Sequence, residues 1–361
     1  MHEVKILVVG DGHSEIHEVA VAEAFRKLGH QVEVFYWNEY FSANNIIVRK
    51  WLRAQNKFIF GPTIAKINRD LVERAFQFKP DMIFVYLGTH VMPTTISKLK
   101  AEIPSCKIIG YCNDDPFASG HPPWLWRHFM RGVPEYDLVL AYRHHNLEDF
   151  RRAGARRVKL LRSWFIPGLN YPVELSDKDR SHYECDVVFV GHYEPDQRVA
   201  LLESIVRRGW RLRLFGPGYD WDPVIRRSTE LADQVPVRLV WGDDYSRALC
   251  GARIALCLFS KLNRDTYTRR CFEIPATRTL MLSEYTDDVA SLFGEGQEAD
   301  FFRTPEEMIT KIECYLADEP RRRAVAEAGL KRVHEDGHDV VSRMKQVLVW
   351  LDEMGGQTTC D

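Results

Sequence analysis

Glu273 follows Arg269 and Arg270 at the opening of a short apolar run, Ile274-Pro275-Ala276, and a second run, Leu280-Met281-Leu282, comes close behind. The pattern reads as a helix carrying a carboxylate directly ahead of a buried strand. A carboxylate in that position can accept hydrogen bonds from two vicinal hydroxyls, and a guanidinium group can neutralise a phosphate. Glu273 could equally cap its helix or pair with Arg270, and helical geometry keeps Arg269 and Arg270 from pointing the same way. Asp265 heads the same segment, with Asn263, Arg264 and Thr268 on its approach. A second place for an anion is the loop Gly191-His192-Tyr193-Glu194-Pro195, which ends a strand pattern and opens a helix pattern. Backbone N–H groups at a helix start favour a bound anion. Arg198, just inside that helix, is a candidate phosphate clamp, or else an arginine paired with a nearby acid. Gly216, in the turn Gly216-Pro217-Gly218, is either a plain turn or a point of close approach to a ligand.

Proton-transfer groups lie in the first half of the chain. The stretch Tyr111-Cys112-Asn113-Asp114-Asp115-Pro116-Phe117 follows an apolar strand pattern. Asp114 or Asp115 could accept a proton from a hydroxyl or hold a hydroxylated ligand. His13 and His90 are fallback bases, set against the commoner role of a loop histidine as a hydrogen-bonded surface group. His13 sits in Gly10-Asp11-Gly12-His13-Ser14, which lacks the third glycine of a dinucleotide fingerprint because Glu15 takes its place.

The elements that must position these residues alternate in type. Strand patterns fall at 4–10, 31–36, 82–86, 107–111, 138–141 and 158–161, with helical patterns between most of them, beginning with 17–28, which Gly29 ends. The alternation breaks over 164–183, where Pro167, Gly168 and Pro172 fall, and resumes with strands at 186–191, 211–216 and 254–259 and a helix at 195–208. Strands alternating with helices imply a parallel sheet covered on both faces, here twice. The expected organisation is α/β, with Rossmann-like domains at 1–165 and 185–337, a linker at 166–184, and a terminal helix at 338–361 that returns to the first domain. The last stretch, 320–354, reads as strongly helical.

Composition sets limits on function. The chain has 361 residues, 45% of them hydrophobic, enough for two separate cores. Its 49 basic and 51 acidic residues leave a net charge of -2, which gives no bulk electrostatic reason to expect nucleic acid or an anionic surface. No apolar run approaches the roughly 18 residues needed to span a bilayer, and no secretory leader pattern opens the chain, so a soluble, cytoplasmic protein is expected. The eight cysteines form no Cys-x-x-Cys pair, and neither a disulfide framework nor a zinc site is expected.

The segment that carries Glu273 also carries a family resemblance. Asp265 and Glu273 resemble the paired acidic residues of GT-B glycosyltransferases with retaining, family-four-like C-terminal domains. Ala276-Thr277-Arg278 stands where those proteins usually have Ala-Cys-Gly, so Arg278 replaces a glycine. Arg270-Cys271-Phe272-Glu273-Ile274-Pro275-Ala276, with Phe302-Arg303-Thr304-Pro305-Glu306-Glu307 later on, is similar to the CgeB-like spore-maturation glycosyltransferases. The resemblance covers about 186–344 well and the N-terminal half loosely.

It implies two Rossmann-like domains facing across a cleft, a nucleotide-diphosphate sugar as donor, and no essential metal. Such a transfer needs the leaving diphosphate stabilised as its charge grows. On that reading Glu273 accepts the ribose hydroxyls, Asp265 faces the donor sugar or the reacting centre, and Arg198, Arg269, Arg270 and the Gly191-His192 loop serve the diphosphate, with Gly216 near the base or ribose. Asp114 and Asp115 fall in the loop comparable to one that holds a histidine-aspartate pair in retaining relatives. The Asp265/Glu273 spacing favours retention. Asp220-Trp221-Asp222 matches the Asp-x-Asp pattern of the other large glycosyltransferase fold, but it lies in the second domain after a glycine-rich turn and no metal is assigned to it. The acceptor stays open among a glycan, a lipid-linked saccharide, a protein side chain and a small molecule. The alternatives are a non-catalytic nucleotide-sugar-binding or assembly protein and a nucleotide-sugar epimerase of the same fold.

Overall fold

In the computed structural model, which describes residues 3–355, every strand of the two sheets pairs in parallel with its neighbours. Parallel strands are covered on both faces, which is why their sequences are nearly continuous apolar runs. Ile6 to Val9 and Val187 to Phe189 are wholly buried on this account. The chain divides into two units, one formed by the residues up to Ser163 with those from Val340 onward, the other by Trp164–Asp339.

The first unit runs β1 (Lys5–Gly10), α1 (Glu18–Lys27), β2 (Gln31–Tyr36), α2 (Ile46–Phe58), α3 (Pro62–Phe78), β3 (Met82–Tyr86), α4 (Pro93–Glu102), β4 (Lys107–Cys112), α5 (Arg127–Gly132), β5 (Leu138–Ala141), α6 (His144–Arg152) and β6 (Val158–Leu160). Its sheet order is β2-β1-β3-β4-β5-β6. From β1 the chain goes to β2 on one side and then to β3 on the other, so the order reverses between β1 and β3. Helix α3 shows how the layers join. Ile64, Ile67, Leu71, Ala75 and Phe78 fall on one face and are buried, each large one contributing about 1.5–3 kcal/mol.

The second unit continues with α7 (Asp177–Tyr183), β7 (Cys185–Val190), α8 (Arg198–Arg207), β8 (Leu212–Phe215), α9 (Gly218–Ile225), α10 (Asp243–Cys250), β9 (Ala252–Cys257), α11 (Arg270–Ala276), β10 (Leu280–Glu284), α12 (Asp287–Ala290), β11 (Asp300–Phe302), α13 (Pro305–Ala317) and α14 (Glu319–Glu335). Its order is β11-β10-β9-β7-β8, so the reversal falls between β7 and β9. Thr304 caps α13, its hydroxyl accepting from the Glu307 N–H at 3.1 Å, and the Glu307 carboxylate accepts from the Arg303 N–H at 2.7 Å.

Two stretches differ in detail from the pattern read off the sequence. The helical run 320–354 is two helices: α14 stops where Gly337 takes a left-handed φ of 63°, and α15 (Val340–Gly355) packs on α1 within the first unit. Residues 356–361 of the expected terminal helix lie outside the described residues, as do 1–2. The stretch 166–184 carries α7, whose N-terminus Ser176 caps, and it is fastened to α10: Leu169 O accepts from the Ser246 hydroxyl, and the Val173 N–H donates to Cys250 Sγ at 3.2 Å. Among the described residues no helix is long and apolar enough to cross a membrane.

Candidate functional site

Ligands of open α/β sheets bind outside the carboxyl ends of the strands where the order reverses. In the second unit that place is formed by the loops after β7 and β9. Arg270 fastens the two strand ends together. Its Nη1 donates to Val190 O at 3.1 Å and its Nη2 to Leu258 O at 3.0 Å, with the guanidinium 5.8 Å from the centre of the Phe189 ring. Arg270 therefore staples the floor of the site, where its expected part in neutralising phosphate also placed it. Gly191 belongs to the same packing, because a Cβ there would come within 2.7 Å of Arg270 Nη1.

Glu273 lies one turn into α11 and is 5% exposed. Its Oε1 is 2.7 Å from Arg269 Nε, and its Oε2 accepts the Tyr245 hydroxyl at 2.7 Å. The alternative pairing with Arg270 is not the one found. Tyr245 comes from α10, and burial together with the adjacent carboxylate pushes its hydroxyl pKa up, so it stays a donor to Glu273. The carboxylate is thus fixed in orientation, as two vicinal hydroxyls would require of their acceptor.

The loop after β9 is shaped by acids that sequence reading passed over. Glu194, in the loop after β7, accepts the Lys261 N–H at 3.0 Å. Glu284, at the end of β10, accepts the Phe259 N–H at 2.6 Å and Lys261 Nζ at 2.9 Å. Farther along, the Thr266 hydroxyl donates to Asp288 at 2.6 Å. Asp265 lies on this loop, its N–H donating to Ser260 O at 2.8 Å, directly after Arg264 with its left-handed φ of 49°.

Arg198 has no face left for a phosphate. It is 2% exposed, with Nε and Nη2 on the two oxygens of Asp196 at 2.8 and 2.7 Å and Nη1 on His192 O at 2.6 Å. Burial works against the ionised Asp196, yet the hydrogen bonds from Arg198 hold its carboxyl below the ordinary range. Asp196 also accepts the Arg198 N–H at 2.9 Å, so a carboxylate already occupies the start of α8 where an anion was expected. The arginine braces the loop, and the phosphate-clamp expectation is corrected accordingly. His192 is exposed and pairs through Nδ1 with Asp220 at 3.0 Å. Gly216 is needed for packing: a Cβ would fall 2.2 Å from Gly191 O, the same carbonyl that accepts Trp221 Nε1 at 2.8 Å. Within the Asp-x-Asp triplet, Trp221 is wholly buried and Asp222 accepts the Val237 N–H at 2.9 Å, so the triplet builds the turn of α9. Among the described residues no group of three or more His, Cys, Asp or Glu side chains is arranged to hold a metal ion.

Arg278, where the resembling families have glycine, keeps a φ of 60°. The backbone there takes the left-handed form that glycine adopts freely and arginine does not.

In the first unit the predicted residues follow strands that end on one edge of the parallel sheet. His13 follows β1, Asp114 and Asp115 follow β4, and β3 lies between those strands. Asp115 is wholly buried. It accepts the Phe117 N–H at 3.0 Å and Asn146 Nδ2 at 3.1 Å, and His145 Nε2 stands 3.3 Å away, so it ties its loop to α6. Asp114 is the more accessible carboxylate of the two. His13 is exposed and in close contact with Asp11. His90 is a core residue: it stacks on Trp37 with ring centres 5.1 Å apart, its nitrogens are 2.9 Å from Thr89 Oγ1 and from Asn56 Oδ1, and burial pushes its pKa down to about 3. Its reading as a fallback base is withdrawn. The residue missed here is Glu18, buried at the start of α1 with its carboxylate on the Gly12 N–H. Burial raises its pKa, against the lowering by that hydrogen bond. An acid just after a Gly-x-Gly loop was the available signal.

Residues 197–349 match the family described as glycosyl transferase-like. The chain is similar in structure to the HepE protein of Anabaena solved in complex with UDP and glucose, at 14% identity and a TM-score of 0.66, over 97% of this chain and 100% of that one. It is also similar to sucrose-phosphate synthase of Thermosynechococcus elongatus, at 12% identity and a TM-score of 0.70 over 99% of this chain and 100% of that one. A third likeness is to α,α-trehalose-6-phosphate synthase of Burkholderia multivorans, at 11% identity and a TM-score of 0.65 over 99% and 100% of the two chains. Comparison with curated proteins finds no match. The fold is that of GT-B glycosyltransferases, with two Rossmann-like domains, and within it residues 197–349 match the glycosyl transferase-like family.

Proposed function

We propose that this chain transfers a glycosyl group from a nucleotide-diphosphate sugar to an acceptor hydroxyl, with retention and without an essential metal, and that it is a CgeB-like member of its class. The observation that carries the reading is Glu273, a buried carboxylate held by Arg269 and Tyr245 beside the carboxyl ends of β7 and β9. In this reading Glu273 accepts both ribose hydroxyls, and Asp265 faces the donor sugar. Arg269 and Lys261 supply positive charge for the leaving diphosphate, whose charge grows in the transition state. A retaining front-face transfer lets the departing phosphate take the acceptor proton, and Asp114 is the acceptor-side carboxylate of the first unit. The motif 270–276 and the later 302–307 support the CgeB-like assignment. Uridine is the base to try first, because HepE was solved with UDP and with UDP-glucose.

The test is a thermal-shift panel of UDP, GDP, dTDP, CMP and their sugars, with and without magnesium, since a ligand bound only by the folded state raises its apparent stability. A shift by UDP and its sugars that does not need magnesium is expected, followed by slow hydrolysis of the sugar nucleotide that produces a shift. Absence of any shift overturns the donor site. A shift without hydrolysis or transfer to any acceptor overturns the enzymatic reading in favour of a binding protein.

A further inference from the structure

Helix α2 of the first unit carries three stripes. Leu52 and Gln55 face inward and are buried. Ile47, Trp51, Ala54 and Phe58 follow one another at the spacing of a single helix face. That face is open to solvent: Ile47 is 75%, Trp51 52% and Phe58 48% exposed, and Phe60 just beyond the helix is 74% exposed. Trp124 extends the apolar surface, its ring centre 5.6 Å from that of Phe58 and its Nε1 donating to Lys57 O at 3.0 Å. The third stripe, Arg49, Lys50, Arg53 and Lys57, flanks the apolar one, and the sequence IIVRKWLRAQNKF contains no acid. An isolated exposed apolar residue is ordinary, but a row of bulky ones beside a row of cations marks an interaction surface.

We propose that α2 is a membrane-docking element that lays Ile47, Trp51, Phe58 and Phe60 into the interface of an anionic bilayer while its four cations meet the lipid headgroups. An amphipathic helix with aromatic and aliphatic groups on one side and Lys and Arg on the other has the composition of an interfacial helix. Charge complementarity selects the occupant. The chain carries a net charge of -2, yet this one helix holds four cations and no carboxylate. A second copy meeting this helix through the same helix offers no carboxylate to pair with the four cations, whereas anionic lipid neutralises them.

The full chain is sedimented with vesicles of phosphatidylcholine containing about 30 mol% phosphatidylglycerol, and with phosphatidylcholine alone, at ~0.1 M and ~0.5 M salt. Binding to the anionic vesicles is expected, weakened about tenfold or more in high salt or without phosphatidylglycerol. The exposed-face variant Trp51→Glu/Phe58→Glu and, separately, the four-fold change of Arg49, Lys50, Arg53 and Lys57 to Gln should each lose binding while keeping the parent's circular dichroism and melting temperature. A parent chain that stays in the supernatant overturns the proposal, as do folded variants that sediment like the parent. A parent dimer that either variant converts to monomer, without vesicle binding, assigns the face to a second copy instead.

Discussion

Replacing Glu273 by Ala separates ligand binding from scaffolding, because its two oxygens are engaged by different partners. Two hydrogen bonds from ribose hydroxyls to a carboxylate contribute about 1.5 kcal/mol each at the low end for charged acceptors. Their loss, about 3 kcal/mol, weakens UDP binding about 100-fold. The same change strands the Tyr245 hydroxyl and Arg269, both now at 2.7 Å from Glu273, and costs about 1–3 kcal/mol of folding stability. For a unit of this size that lowers the melting temperature by about 2–10 °C. Calorimetric titration with UDP, well below the melting point of the variant, reads the first effect; thermal unfolding without ligand reads the second. Tyr245→Phe is the control, since it removes the bond to Oε2 and leaves the carboxylate. It should cost about 1 kcal/mol of stability and change the UDP dissociation constant less than about threefold. The ribose assignment fails if folded Glu273→Ala binds UDP as tightly as the parent. It also fails if Tyr245→Phe weakens binding as much as Glu273→Ala, for then Glu273 acts only by holding its neighbours.

Two further predictions concern stability. Arg278→Gly should stabilise the chain: the left-handed φ of 60° costs an ordinary residue about 1–2 kcal/mol, and the extra freedom of unfolded glycine returns about 0.5–1 kcal/mol of that. The ion pair lost, 3.9 Å from Glu327 between two exposed side chains, contributes little, so calorimetry should show a rise of about 1–3 °C. Glu295 is held down to a pKa of about 2, from the usual 4.5, first by its hydrogen bonds to Arg303 and, against a burial cost, by Lys311. A depressed folded pKa contributes stability that is present above the unfolded value and lost as pH falls through the folded one. Glu295→Gln should therefore be less stable than the parent in urea at neutral pH, with the gap closing as pH drops from 4.5 toward 2. A gap that stays constant over that range would show that the ion pairs of Glu295 do not govern the acid response.

Where local physics decides, the sequence was readable. Strands at 31–36, 82–86 and 138–141 have the observed bounds; the last two are buried along their whole length and are apolar throughout for that reason. The carboxylate Glu273 does lie on a short helix, α11, ahead of the apolar strand 280–284, as its pattern reads. What escaped was every role set by a partner distant along the chain. Arg270 looked like a phosphate ligand, but its acceptors are Val190 and Leu258, brought to it only when β7 and β9 pair. Tyr245, which orients Glu273, belongs to another helix and has no motif of its own. Arg198 was open between a phosphate clamp and pairing with a nearby acid, and the acid is Asp196, only two residues away, which already fills the anion's place. A positive charge near a helix start is therefore evidence for a phosphate site only after the carboxylates within reach of it have been assigned. By that criterion Arg269 also has a carboxylate partner, Glu273, and any diphosphate contact must share its guanidinium with the carboxylate proposed to hold the ribose. That sharing would couple the two halves of the proposed donor site, so Arg269→Lys should weaken nucleotide binding and loosen Glu273 together, since lysine cannot keep the planar fork that serves two acceptors at once.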